Sequence, residues 1–235
     1  MSEVLRVALV GEGPTDRVVI EAALASILCE RPFILKQLQP EESLPFGAIG
    51  TGWVGVYRWC RQAVDRSRTS LRNDILYQTY DLLLLQLDAD VADECYANGS
   101  ITESIQDLPC SGPCPPPAAS TNPLRAVLLR WVGERDVPPR TVLCTPSKST
   151  EAWIVAALFP EDLAVQRGIE CWARPEERLS QQPSEHRIRK RVDDYQTRAA
   201  ALREAWPRLA RTLDEAGRFD ADFRAALGRQ RSLCP

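Results

Sequence analysis

The chain has 235 residues, 44% hydrophobic and 26% charged, with a formal net charge of −3. This composition suits one globular domain, or one domain with a helical extension, that buries its core without metal or disulfide staples. It excludes a uniformly basic protein that coats nucleic acid, and no apolar run is long enough to cross a bilayer.

Leu5 to Val10 (LRVALV) is a short apolar run ended by Gly11, the pattern of a buried strand. It leads into Gly11-Glu12-Gly13-Pro14-Thr15-Asp16. Apolar residues then recur at Val18, Val19, Ala22, Ala23 and Ile27, which predicts a helix starting at Pro14 or Thr15. Pro32 to Leu38 reads as a second strand. A glycine-containing loop, Gly47 to Gly55, precedes an amphipathic helix from about Trp53 to Arg68.

Asp81 to Leu87 (DLLLLQL) predicts a central strand buried on both faces, ending in Asp88-Ala89-Asp90. Proline and glycine make Cys110 to Asn122 a loop, and helical spacing resumes from Pro123 to Glu134. Arg140 to Cys144 is a further strand. Ser149 to Leu158 is a helix capped by Ser149 or Thr150. Beyond Pro160 the chain reads as charged helix from about Val192 to Ala226, without a clear strand.

Alternating strands and helices predict an α/β domain over residues 1–160, with a mostly parallel sheet flanked by helices. Residues 161–235 form a charged helical C-terminal extension packed on it. From Val165 onward 15 basic residues face 11 acidic ones, so this part carries +4 and the rest −7. The asymmetry fits a carboxylate-rich metal site beside a phosphate-binding surface, and equally a solvated helical surface.

No basic leader precedes the first strand, so the expected compartment is the cytoplasm. Cys29, Cys60, Cys95, Cys144 and Cys171 then read as free thiols in apolar or helical settings. Cys110 and Cys114 offer half a zinc site. No second close cysteine pair exists and His186 is the sole histidine, which leaves a local disulfide or two unpaired thiols. Trp53, Trp59, Trp131, Trp153 and Trp206 fall in helical patterns as core or interface residues.

The acids carry the chemical signal. Glu12 and Asp16 follow the first strand, and Asp88 and Asp90 follow the most buried one. If these strands are parallel neighbours, all four carboxylates meet at one edge of the sheet. In extended backbone Asp88 and Asp90 point to the same face. Glu12 and Asp16 come within reach if their turn tightens into helix. Hard divalent cations, Mg²⁺ or Mn²⁺, resolve the resulting repulsion. The alternative is that these aspartates cap helices and shape turns.

With these motifs in this order, the chain resembles the Toprim domain shared by topoisomerases, primases and the OLD (overcoming lysogenization defect) nucleases. Asp16, one turn after Glu12, is closer to the OLD-type arrangement. Short Toprim-like proteins encoded beside ATPases in bacterial defence loci are also similar. The resemblance covers about residues 4–160. It implies a Toprim-like fold and metal-dependent phosphoryl transfer, in which Glu12 binds metal or shuttles a proton. Asp88 and Asp90 would be metal ligands, and Asp16 would serve a second ion.

Lys148, in Pro146-Ser147-Lys148-Ser149-Thr150-Glu151, resembles the lysine that OLD-type sites place near the scissile phosphate. Glu151 either completes the metal shell or favours its helix dipole. The basic run His186-Arg187-Ile188-Arg189-Lys190-Arg191 either docks a nucleic-acid backbone or is the solvated start of a helix, answered by Asp193 and Asp194.

The expectation is therefore a Mg²⁺- or Mn²⁺-dependent nuclease acting on DNA or RNA. By resemblance it is an antiviral effector with an ATPase protein partner, and a homo-oligomer is compatible with this reading. The alternative is a non-catalytic Toprim-like module of an ATPase-containing complex. A Rossmann-like nucleotide-binding protein fits less well, because an acidic first turn repels a pyrophosphate.

Overall fold

The computed structural model describes residues 4–41, 49–67, 70–102, 106–183 and 187–231. Four strands, β1 (Leu5–Val10), β2 (Phe33–Gln39), β3 (Leu82–Gln86) and β4 (Thr141–Cys144), form one sheet in the order β2-β1-β3-β4. All three pairings are parallel. The helices are α1 (Pro14–Ile27), α2 (Gly52–Ser67), α3 (Leu76–Thr79), α4 (Ala118–Trp131), α5 (Glu151–Leu158), α6 (Leu163–Gly168), α7 (Pro175–Ser180), α8 (Val192–Thr212) and α9 (Asp214–Arg231). The α/β class with a parallel sheet and a helical C-terminal part is as expected.

The period-2 alternation of each strand divides the core into two. Leu5, Val7, Leu9, Leu82, Leu84, Val142 and Cys144 face a core shared with α1, α5, α8 and α9. Ala8, Val10, Leu83, Leu85 and Leu143 face the other core, under α2 and α4. Strands sandwiched in this way need apolar residues at every position, which is why β3 reads as a leucine run.

The C-terminal helices belong to the first core. Trp153 of α5 packs edge-on to Trp206 of α8 at 5.2 Å and stacks on Phe219 of α9 at 5.9 Å. Arg125 of α4 ties this layer to the sheet, donating to the Leu143 carbonyl (3.0 Å) and to Asp222 (2.6 Å). Truncating one of these buried aromatics costs about 3–5 kcal/mol.

Three local expectations differ from the structure. α4 begins at Ala118 with Pro123 inside it, where a loop to Asn122 was expected. Proline at this position lacks the N–H that would reach Ala119 and crowds that carbonyl, and burial of Leu124, Val127, Leu128 and Trp131 outweighs the cost. Thr150 stands at the start of α5 without a side-chain capping bond, because its hydroxyl is used elsewhere. Among the cysteines, Cys60 and Cys144 are buried, but Cys29 and Cys95 are exposed. Cys171 pairs with Cys114 across 57 residues, their Cα atoms 5.4 Å apart. That pairing depends on how the turn after α6 meets the segment before α4, which spacing along the chain does not reveal.

Candidate metal centre

In the order β2-β1-β3-β4 the chain leaves β1 toward one edge of the sheet and β3 toward the other. The carboxyl ends of β1 and β3 therefore flank a crevice, the usual ligand position in open parallel sheets. Glu12 leaves β1 there and Asp88 leaves β3.

Gln86, fully buried at the end of β3, joins the two turns. Its Oε1 accepts the Glu12 backbone N–H (2.9 Å), and its Nε2 donates to Asp88 Oδ1 (2.8 Å). Glu12 Oε1 in turn accepts the Asp88 backbone N–H (2.7 Å). Gly11 lies so close that an added Cβ would meet Gln86 Oε1 at 2.8 Å and push the amide from its place.

Asp90 reaches the same place by a route the sequence did not indicate. Residues Ala89–Asp93 form a 3₁₀ turn, so Asp88 and Asp90 do not lie on one face of an extended strand. The turn is anchored by Ala89 N–H on the Pro146 carbonyl (3.0 Å) and Asp90 N–H on the Lys148 carbonyl (3.3 Å). One carboxylate oxygen each from Glu12, Asp88 and Asp90 lies within 4.8 Å of the others. Opposed oxygens around one Mg²⁺ stand about 4.2 Å apart, so a small closure suffices to share an ion.

A second pair of acids borders this trio. α1 begins at Pro14, which places Asp16 in its first turn, buried, with Oδ1 accepting from Thr150 Oγ1 (2.6 Å). Buried Glu151 accepts from Tyr195 Oη at Oε1 (2.7 Å), and Lys190 Nζ lies 3.2 Å from the same oxygen. Glu151 Oε2 is buried and has no hydrogen-bond partner.

The electrostatics agree with this geometry. Burial, and then the charge of Asp16, pushes Glu12 up to about 8. Burial and Glu151 raise Asp16 to about 6. Asp88 is raised well above the carboxylate range by burial and by Asp16, Glu12 and Glu151. Burial raises Asp90 to about 6. Glu151 alone is lowered: burial opposes its ionisation, but Lys190, Tyr195, Ser149 and its own backbone N–H together outweigh it. An added cation would shift such a cluster further toward its charged form. The trio's spacing thus fits an all-oxygen site for a hard divalent ion.

The cations lie differently from expectation. Lys148 has a left-handed φ of +63°, and its ammonium meets Ser111 Oγ (3.2 Å) and Asp93 (3.8 Å) and favours the charged form of Asp90. Lys190, expected in the basic surface run, instead reaches the carboxylates. Arg187, Arg189 and Arg191 are exposed around it, and buried Ile188 pins the segment. Asp194 accepts the backbone N–H of Arg189 (2.8 Å). His186 lies outside the described residues.

Gln86, Thr150 and Tyr195 were not identified from the sequence. Only Gln86 left a trace there, as the one polar residue in a leucine run that must find buried partners.

No helix among the described residues is long and apolar enough to cross a membrane. Compared with known proteins, the chain matches no family model, no curated protein and no solved structure.

Proposed function

We propose that this chain is a divalent-cation-dependent phosphodiesterase that cleaves DNA or RNA. The observation that carries the reading is the trio Glu12, Asp88 and Asp90, one oxygen of each within 4.8 Å of the others, bordered by buried Asp16 and Glu151. Glu12, Asp88 and Asp90 would hold one Mg²⁺ or Mn²⁺ ion, and Asp16 and Glu151 a second. Ions held in pairs supply Lewis acidity to the attacking water and to the leaving oxygen of a phosphodiester.

The remaining groups have roles the chain itself supplies. Gln86 and Thr150 orient Asp88 and Asp16 through neutral hydrogen bonds. Lys190 brings positive charge to the Glu151 side of the crevice, and Lys148 does so near Asp90. Arg187, Arg189 and Arg191 present guanidinium groups for backbone phosphates beside the carboxylates. The Toprim and OLD-type resemblance adds an ATPase partner and a place in bacterial antiviral defence.

One observation favours the alternative of a non-catalytic module. Lys190 already gives the acids an internal counter-ion, since its pKa is raised by Glu151, Asp16 and Asp88 despite the opposing effect of burial. Calorimetric titration with Mn²⁺ and Mg²⁺, followed by cleavage assays on plasmid DNA and single-stranded RNA, separates the two. The nuclease reading expects binding and cleavage that Asp88→Ala/Asp90→Ala abolishes in a chain with unchanged circular dichroism. Absence of binding by the folded wild type would overturn it and leave the module.

A further inference from the structure

We infer that Gln86 is a positioning residue that sets the distance between Glu12 and Asp88; the inference rests on the metal-centre reading above. Its amide bonds both ligand-bearing turns, taking the Glu12 N–H at 2.9 Å and giving an N–H to Asp88 Oδ1 at 2.8 Å. The two bonds have opposite polarity. An amide accepts at one end and donates at the other without bringing a charge. A carboxylate there would repel Asp88, and an apolar side chain would leave the Glu12 N–H and one Asp88 oxygen unbonded.

The surroundings are shaped to this side chain. Gln86 is fully buried and ends a strand that is otherwise leucine. The backbone at Gly11 is so close that any Cβ would displace the amide oxygen. β1 and β3 pair only through Val10↔Leu85 at this end, so beyond that pair no backbone ladder joins the turns carrying Glu12 and Asp88. The Gln86 amide and the Asp88 N–H on Glu12 Oε1 take over that task. Groups that orient ligating carboxylates typically alter metal affinity 10–100-fold when removed.

The test uses Gln86→Met, close in length and apolar, with Leu84→Ala as a control in the same strand. Mn²⁺ affinity is read by calorimetry, and hydrogen exchange is read at the Glu12 amide in metal-free protein. Gln86→Met is expected to weaken Mn²⁺ binding roughly 10–100-fold and to accelerate Glu12 exchange. Leu84→Ala should lower the melting temperature at least as far while leaving affinity within about twofold, since it touches no ligand.

Equal affinity in Gln86→Met and wild type, or equal loss in both variants, would overturn the positioning role. Should wild type bind no Mn²⁺, the metal reading falls, and the exchange rate still decides whether Gln86 locks the Glu12 turn. If Gln86→Met does not fold, Gln86→Leu is measured in the same way.

Discussion

Two buried groups of acids sit in this molecule, and they are answered in opposite ways. At the start of α9, Glu170 uses both oxygens: Oε2 accepts the Asp214 N–H (2.7 Å) and Oε1 the Glu215 N–H (3.0 Å). Glu215 accepts from Thr121 (2.6 Å), with Arg218 at 3.7 Å. Every charge there is met by a helix N-terminus, a hydroxyl or a guanidinium, so this group is a structural cap. Past the ends of β1 and β3 and at the start of α5, five carboxylates oppose one another's charge, and one ammonium, Lys190, lies against one of them, Glu151. Burial alone therefore does not mark a site. The balance of charge does.

The sharpest way to break this comparison is a thermal-shift experiment on both groups. With Mn²⁺ at about 100 times its Kd, wild type gains about 2.7 kcal/mol, or roughly 5–10 °C in Tm for a chain of this size. Asp88→Ala/Asp90→Ala should lose that gain entirely. Glu170→Ala should keep it while melting lower throughout, because two N–H groups at the start of α9 lose their acceptor, at a cost of about 1–2 kcal/mol. A Mn²⁺ shift that survives in the double variant would place the ion elsewhere.

Acidity sharpens the contrast further. Glu12, Asp16, Asp88 and Asp90 all have folded pKa values above their ordinary ones. Metal-free native protein thus holds more protons than the unfolded chain between about pH 4 and pH 8, and its stability falls as pH rises across that window. Glu170, pushed up to about 7 chiefly by burial, acts with the same sign. Glu151, lowered, acts with the opposite sign below its ordinary range. Melting curves at pH 5.5 and pH 8 should show this loss, and Mn²⁺ should restore the part due to the centre but not the part due to Glu170. A pH slope unaffected by Mn²⁺ would count against an ion among these acids.

The smallest effect is expected from Thr150→Val, which keeps the shape but removes the hydroxyl on Asp16. Loss of a hydrogen bond to a buried carboxylate costs about 1–3 kcal/mol. The change should weaken the Mn²⁺ site that Asp16 shares with Glu151 and leave the other site unchanged in calorimetry. A single site with unchanged affinity would confine the centre to Glu12, Asp88 and Asp90.

Much of the scaffold was legible in the amino acids. Strands at Leu5–Val10 and Leu82–Gln86 follow from uninterrupted apolar runs, and α1 follows from its period and Pro14 at its start. The start of α4 was not legible, because Pro123 reads as a breaker until the burial of its neighbours is known. Asp90 was placed near Asp88 for a mistaken local reason, extended backbone, since the 3₁₀ turn depends on carbonyls of Pro146 and Lys148 far along the chain.

By itself the sequence determined the parallel α/β class and the placing of Glu12, Asp16, Asp88 and Asp90 just past two strands. Both follow from hydrophobic period and turn chemistry, which act over a few residues. Only the tertiary structure decided that β1 and β3 are neighbours, that Gln86 bridges their ends, and that Cys114 meets Cys171. It also decided that Lys190 and Tyr195 reach Glu151. These contacts arise where α8 and α9 bury Trp206 and Phe219 against Trp153 of α5. Packing of that kind depends on the shape of the assembled core, which no local pattern encodes.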